Sequence, residues 1–169
     1  LSADETKVLT WSADGIARVW DSTTGLALTQ PLQHQNSVYG AVFSADETKV
    51  LTWSADSTAR IWDSTTGSAL TPPLQHQDVV NGAVFSVNEM QVLTWSWDGT
   101  ARIWDSGTGI ALTPPLQHQG SVNGAVFSGD ETRVLTWSAD STARIWDSAT
   151  GNTLTPPLQH QESVYGAMF

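Results

Sequence analysis

The sequence predicts an all-β fold in which four antiparallel, four-stranded sheets follow one another along the chain and pack face to face. The first observation behind this is an internal repeat: Trp11, Trp53, Trp95 and Trp137 are spaced by 42 residues, and so are Trp20, Trp62, Trp104 and Trp146. Residues 43–84 match residues 127–168 at 33 of 42 positions. The second is that each repeat consists of short runs rich in β-branched and aromatic residues, broken by turn signals about every 8 to 12 positions. The third is that these runs are apolar on both faces, so each sheet must lie between neighbours. A unit of about 42 residues cannot bury a core alone, and stacked units stabilise one another. The repeats are assigned to residues 1–42, 43–84, 85–126 and 127–168, with no linker between them.

The elements of one unit follow in order. "SVYGAVF" (37–43) is the first strand, and the polar "SADET" turns the chain. "KVLTWS" (49–54) is the second strand, with Leu51 and Trp53 on one face and Val50 and Thr52 on the other. "ADS" leads into the third strand, "TARIWD" (58–63), and "STTG" turns the chain again through the permissive backbone of Gly67. "SALTPPL" (68–74) is the fourth. Its Pro72 and Pro73 cannot donate to a ladder, which suits an outer edge.

Four strands per unit, the period of 42, a recurring "WD" (Trp20-Asp21, Trp62-Asp63, Trp104-Asp105, Trp146-Asp147) and a histidine upstream of each resemble the WD-repeat β-propeller family. The resemblance covers the whole chain. Two features depart from the family: its usual Gly-His pair reads Gln-His at Gln33-His34, Gln75-His76, Gln117-His118 and Gln159-His160, and a tryptophan stands in "LTWS" where a small residue is usual. The resemblance implies a propeller of four blades per chain. It also implies a buried hydrogen-bonded network of His, Ser or Thr, Asp and Trp. The matching sets are His34, Ser54, Asp56 and Trp62; His76, Ser96, Asp98 and Trp104; and His118, Ser138, Asp140 and Trp146. The fourth set, His160 with Ser12, Asp14 and Trp20, lies at opposite ends of the chain and can form only across a ring closure.

The chain starts at the second strand of its first blade and ends in "SVYGAMF" (163–169), a spare first strand. Four blades would close only by turning about 90° each, whereas rings of seven or eight need about 45° to 51°. The expectation is a homodimer, an eight-bladed ring in which residues 163–169 of each chain complete the first blade of the other, with two-fold symmetry. The sequence begins with Leu1, so it reads as a fragment, a processed product or an engineered block of a larger propeller.

Composition narrows the partners. Acidic residues outnumber Lys and Arg by 17 to 7, for a net charge of -10, so nothing is set to neutralise phosphates. Nucleic acid and anionic membranes are not expected partners. With no cysteine and no apolar stretch approaching the roughly 20 residues that span a bilayer, the expectation is a soluble, cytoplasmic protein.

The residue types that suggest chemistry read as structure. His, Ser and Asp recur together like a hydrolase triad, yet four equivalent triads sharing a tryptophan read better as buried polar groups finding partners. The four histidines, one per repeat, are spread around the ring rather than convergent on a metal. "SGTGIA" (106–111) is a hairpin turn that lacks the third glycine of a dinucleotide fingerprint, and Asp46-Glu47, Asp4-Glu5 and Asp130-Glu131 are solvated turns. No catalytic residue, cofactor or metal is therefore expected, and the chain is not expected to be an enzyme.

Eight of the nine tryptophans occupy two repeated strand positions, which assigns them to packing. The ninth, Trp97, replaces an alanine in a turn. The repeats differ after each histidine, at Asn36, Asp78, Gly120 and Glu162 and at Tyr39, Asn81, Asn123 and Tyr165. By resemblance these loops and Trp97 lie on the top rim that such propellers present to partners, so Tyr39, Asp78, Asn81, Trp97, Asn123, Glu162 and Tyr165 are the candidate contacts. The expected role is a protein-interaction scaffold or sensor module and self-assembling block; the second reading is a glycan-binding propeller, since aromatic rings also stack on sugars.

Overall fold

The structure, a computed structural model, describes Ser2 and residues 5–169; Asp4 of the expected Asp4-Glu5 turn lies outside them. Four sheets follow one another along the chain. The first holds β1 (Lys7–Trp11), β2 (Ile16–Asp21) and β3 (Leu32–Gln33). The second holds β4 (Val38–Phe43), β5 (Lys49–Ser54), β6 (Thr58–Asp63) and β7 (Leu74–Gln75). β8 (Val80–Phe85), β9 (Gln91–Ser96), β10 (Thr100–Asp105) and β11 (Leu116–Gln117) form the third. β12 (Val122–Phe127), β13 (Arg133–Ser138), β14 (Thr142–Asp147) and β15 (Leu158–Gln159) form the fourth. Every sheet is an antiparallel meander, so sequence neighbours are ladder neighbours. The architecture is that of four β-propeller blades. Each blade is offset from the 42-residue repeats, because its innermost strand, such as β4, comes from the end of the preceding repeat.

The second and third strands match the predicted spans of 49–54 and 58–63, and the turns explain why they stop there. Asp63 Oδ1 accepts the N–H groups of Thr65 and Thr66 and the Thr66 hydroxyl, closing a tight turn that Gly67 leaves at φ 75°. The fourth strand is shorter than predicted. Of residues 68–74 only Ala69 bridges to Trp62 and Leu74 enters a ladder, because Pro72 and Pro73 have no N–H to donate. Residues 163–169, expected as a strand, form no ladder, since no unpaired strand lies beside them in this chain.

Blades meet at three apolar seams of one design. Leu9, Ala17, Val19 and Leu32 of the first blade meet Val38, Val50 and Trp62 of the second. Leu51, Ala59, Ile61 and Leu74 meet Val80, Ala83, Val92 and Trp104, and the third seam repeats the scheme from Leu93 to Trp146. Leu32, Leu74 and Leu116 are fully buried, each contributing on the order of 2 kcal/mol. Pleating sends Leu51 and Ile61 into the seam ahead and Val50 and Trp62 into the seam behind, which is why both faces of a strand are apolar.

The tryptophan of "LTWS" has its own niche. Trp53 pairs across the ladder with Gly40, where a built Cβ would lie 2.0 Å from the indole Cζ2, and it also packs against the following seam. Gly82 and Trp95, and Gly124 and Trp137, repeat the arrangement. The family departure at Trp53 is thus matched by a glycine on the facing strand.

Candidate functional site

The polar groups singled out by sequence assemble at the seams, at one end of the strands. His34 follows β3 of the first blade, while its partners belong to the second. Its Nδ1 lies 2.9 Å from Asp56 Oδ2 and its Nε2 lies 2.7 Å from Thr52 Oγ1. Trp62 Nε1–H donates to Thr52 Oγ1 at 2.8 Å, and the Thr58 hydroxyl donates to Asp56 Oδ1 at 2.6 Å. His76 with Thr94, Asp98 and Trp104, and His118 with Thr136, Asp140 and Trp146, repeat the network within 0.1 Å. The histidine and tryptophan rings meet edge to face at 6.1 Å, and the Arg60 guanidinium stacks on Trp62 at 5.8 Å.

Two assignments from sequence change. The hydroxyl between His and Trp is Thr52, not Ser54: Thr52 sits beside Trp62 on the face turned to the preceding blade, whereas Ser54, at the strand end, donates to Asn36 O and accepts from Asp56 N–H. Ser96 and Ser138 hold their turns in the same way. Asn81 and Asn123, candidate partner contacts, are half-buried and donate their amides, Asn81 Nδ2 toward Val122 O of β12 and Asn123 Nδ2 to Val164 O at 2.8 Å. The Asn81 amide links the third and fourth blades, and the Asn123 amide holds the segment after the fourth.

Proton bookkeeping fixes the tautomer. The Asp56 carboxylate can only accept, so the ring proton of His34 sits on Nδ1; Nε2 then accepts the Thr52 hydroxyl proton, and the Thr52 oxygen accepts the Trp62 indole N–H. Carboxylate, imidazole and hydroxyl thereby stand in the order of an acyl-transfer triad. Thr52 is fully buried and its oxygen already accepts the indole, so no substrate reaches the hydroxyl. The arrangement locks one blade to the next. The glutamine that replaces glycine before each histidine also has a role: Gln33 Nε2 donates to His34 O at 2.8 Å and tightens the loop.

The networks carry a pH dependence. Burial works to raise the Asp56 carboxyl, but hydrogen bonds from His34, Thr58 and the Gln35 N–H outweigh it and hold the group far below 3.8, with Asp98 and Asp140 alike. Burial lowers His118 below 6.5 against the pull of Asp140. Both kinds of group have folded values below their unfolded ones, so both contribute fully at neutral pH and lose that contribution as pH falls. Thermal melts should therefore hold their midpoint from pH 8 to 7, begin to soften below about pH 6.5, where the histidine of the unfolded chain takes up a proton that the buried His118 resists, and fall steeply below about pH 4. A midpoint unchanged down to pH 4 would contradict the histidine part of this expectation.

The fourth set is divided between the ends of the array. Trp20 Nε1–H donates to Thr10 Oγ1 at 2.7 Å, but Ser12, Asp14 and His160 are exposed and His160 lies in the last blade. The remaining candidates lie on the rim carrying the histidine loops. Tyr39 is 45% and Trp97 47% exposed, Tyr165 more so, and Asp78 and Glu162 also face solvent. Trp97 N–H donates to Val79 O, tying its turn to the neighbouring loop. Among the described residues, no group of three metal-ligating side chains converges, and no helix is long and apolar enough to cross a membrane.

Stacked antiparallel meanders, one of three strands and three of four, joined by these seam networks define a β-propeller assembled from repeats. The family model "WD domain, G-beta repeat" matches residues 27–63, 70–105 and 113–147, more than half of the chain, and the chain belongs to this WD40 family. Each match runs from the outer strand of one blade to the WD pair of the next and contains one complete seam network. No curated protein matches the chain. Among solved structures, the crystal structure of the computationally designed Ika8 protein is similar, with a TM-score of 0.85 and 31% identity over 98% of this chain. The chain spans 50% of the length of that one.

Proposed function

We propose that the chain is a non-catalytic protein-interaction scaffold or sensor module that binds its partner through the rim carrying the histidine loops. One observation carries the reading: Tyr39 and Trp97 are each nearly half exposed on that rim, while His34, His76 and His118 and their aspartates are committed to the seams. Large aromatic rings on rigidly held loops are the groups that anchor protein partners. The acidic surface, net charge -10, favours a partner with basic groups at the edge of the contact. A cysteine-free chain suits a reducing compartment, and we place the scaffold in the cytoplasm.

The test is affinity capture with quantitative mass spectrometry, comparing wild type, Trp97→Ala, Tyr39→Ala and, on the opposite rim, Met90→Ala. Expected is at least a roughly tenfold loss of a specific partner for the first two variants, the size of a hot-spot truncation, with Met90→Ala and all melting temperatures unchanged. Equal recovery by all four would sink the proposal, and binding to a glycan array abolished by Trp97→Ala would replace it with the carbohydrate reading.

A further inference from the structure

The seam between the second and third blades is apolar but not filled. Both of its blades are complete four-stranded sheets, and between them lies a cavity of about 540 Å³, a size at which small ligands bind. Val42, Phe43 and Trp53 wall it on one side, and Ala83 and Phe85 on the other. Its mouth is on the rim opposite the histidine loops, where Ala45 and Val87 are exposed, Val87 by 81%. The next seam carries Val87 at the place of Ala45, and its Phe127 is only 9% exposed, whereas the equivalent Phe85 is partly buried. The small side chain of Ala45 leaves Phe85 open to the cavity.

One charge stands at this apolar space. Of the two polar side chains in the lining, Ser86 is committed to its own turn, donating to Asn88 Oδ1 and accepting the Gln91 N–H. Glu89 is half-buried, and its Oε1 accepts the Ala45 N–H across the seam, which fixes the carboxylate at the cavity wall. Its Oε2 accepts nothing among the described residues. The equivalent glutamates are used differently: Glu131 Oε1 accepts the Asn88 N–H, and Glu47 pairs with Lys7 at 3.6 Å. Glu89 also walls a polar depression of about 350 Å³ that Asp46, Asp105 and Lys49 line. Three carboxylates and one ammonium leave the place negative.

We infer that this cavity is a second binding site, which takes a small ligand with an apolar body and one cationic nitrogen. The body fills the space between Trp53 and Phe85, and the nitrogen stands at Glu89 Oε2. An anion of the same shape would meet three carboxylates, and a neutral body would shut in a half-buried carboxylate without a partner. The aromatic walls favour the cation further, because a positive charge is attracted to the face of a Trp or Phe ring. The site lies on the rim away from Tyr39 and Trp97, so its test is independent of the partner surface proposed above.

The experiment titrates the protein with phenylbutylammonium, phenylbutanol and phenylbutyrate, three probes of one shape, and follows the tryptophan indoles and valine methyls by nuclear magnetic resonance. Wild type, Glu89→Gln and Ala45→Trp are compared. Glutamine keeps an oxygen for the Ala45 N–H and removes the charge, and tryptophan at the exposed residue 45, outside every ladder, fills the mouth. Expected is saturable binding of the ammonium at or below about 1 mM, with shifts at Trp53 and Val87 and an affinity at least about tenfold above that of the alcohol, the anion being weakest. Glu89→Gln should bring the ammonium down to the affinity of the alcohol, and Ala45→Trp should abolish binding of both. A preference for the alcohol or the anion, an ammonium affinity unchanged in either variant, shifts scattered over the acidic turns, or no saturation by about 10 mM would each overturn the inference.

Discussion

Replacing Gly82 with alanine is expected to destabilise the fold by about 3 kcal/mol, the upper part of the range for overpacked cores, measured by urea denaturation. The added Cβ would lie 2.1 Å from Trp95 Cζ2, inside any tolerable contact. Trp95 cannot easily yield, because its strand is hydrogen-bonded on both sides, to β8 and to β10, and its ring packs against the seam beyond. The strain must therefore go into the ladder or push the indole into the neighbouring blade. Gly129→Ala is the matched control, since nothing lies within 4 Å of that glycine, and it should change stability by less than about 0.5 kcal/mol. Equal stabilities for the two variants would show that the indole has room to move.

The second large effect is expected from Thr94→Val, which keeps the side chain's shape and removes one hydroxyl. That hydroxyl accepts the Trp104 indole N–H and donates to His76 Nε2, so two fully or nearly buried polar groups lose their partner together. An unsatisfied buried group costs about 1 to 3 kcal/mol, and the pair should cost about 3 kcal/mol in all. The added methyl offsets little, because Thr94 already sits in a closed site with no solvent contact. Thr108→Val, in an exposed turn where the hydroxyl serves only Asp105 and Ile110, should cost much less. Comparable losses in the two variants would remove the seam network from the account of stability.

Much of this was readable in the residues. The period of 42, the spans of the second and third strands and the partnership of His34 with Asp56 and Trp62 follow from spacing and from resemblance to the family, and the geometry agrees. The resemblance implies a Ser or Thr without saying which, and Thr52 does not stand out because threonine is common in strands. The available signal was its recurrence as Thr10, Thr52, Thr94 and Thr136 between apolar neighbours, where a buried hydroxyl requires a partner. The fourth strand is shorter than its run of residues 68–74 predicts, because Pro72 and Pro73 lack the N–H groups that would continue the ladder. The hydrogen-bonding role of Asn81 and Asn123 is not legible in the sequence, because variation between repeats marks both loops free to contact partners and positions with alternative structural solutions. Asn123 holds Val164, while the equivalent Tyr39 points to solvent.

The central claim is that the recurring His, Thr, Asp and Trp set fastens each blade to the next. Amide hydrogen exchange on Thr94→Val tests it most directly, because the broken network belongs to one seam only. The account predicts faster exchange on both sides of that seam, at the Gln77 N–H that Asp98 accepts and in β9 and β10, with the network at Gln119 and Asp140 keeping its protection. Lost protection confined to the third blade, with Gln77 unchanged, would contradict it.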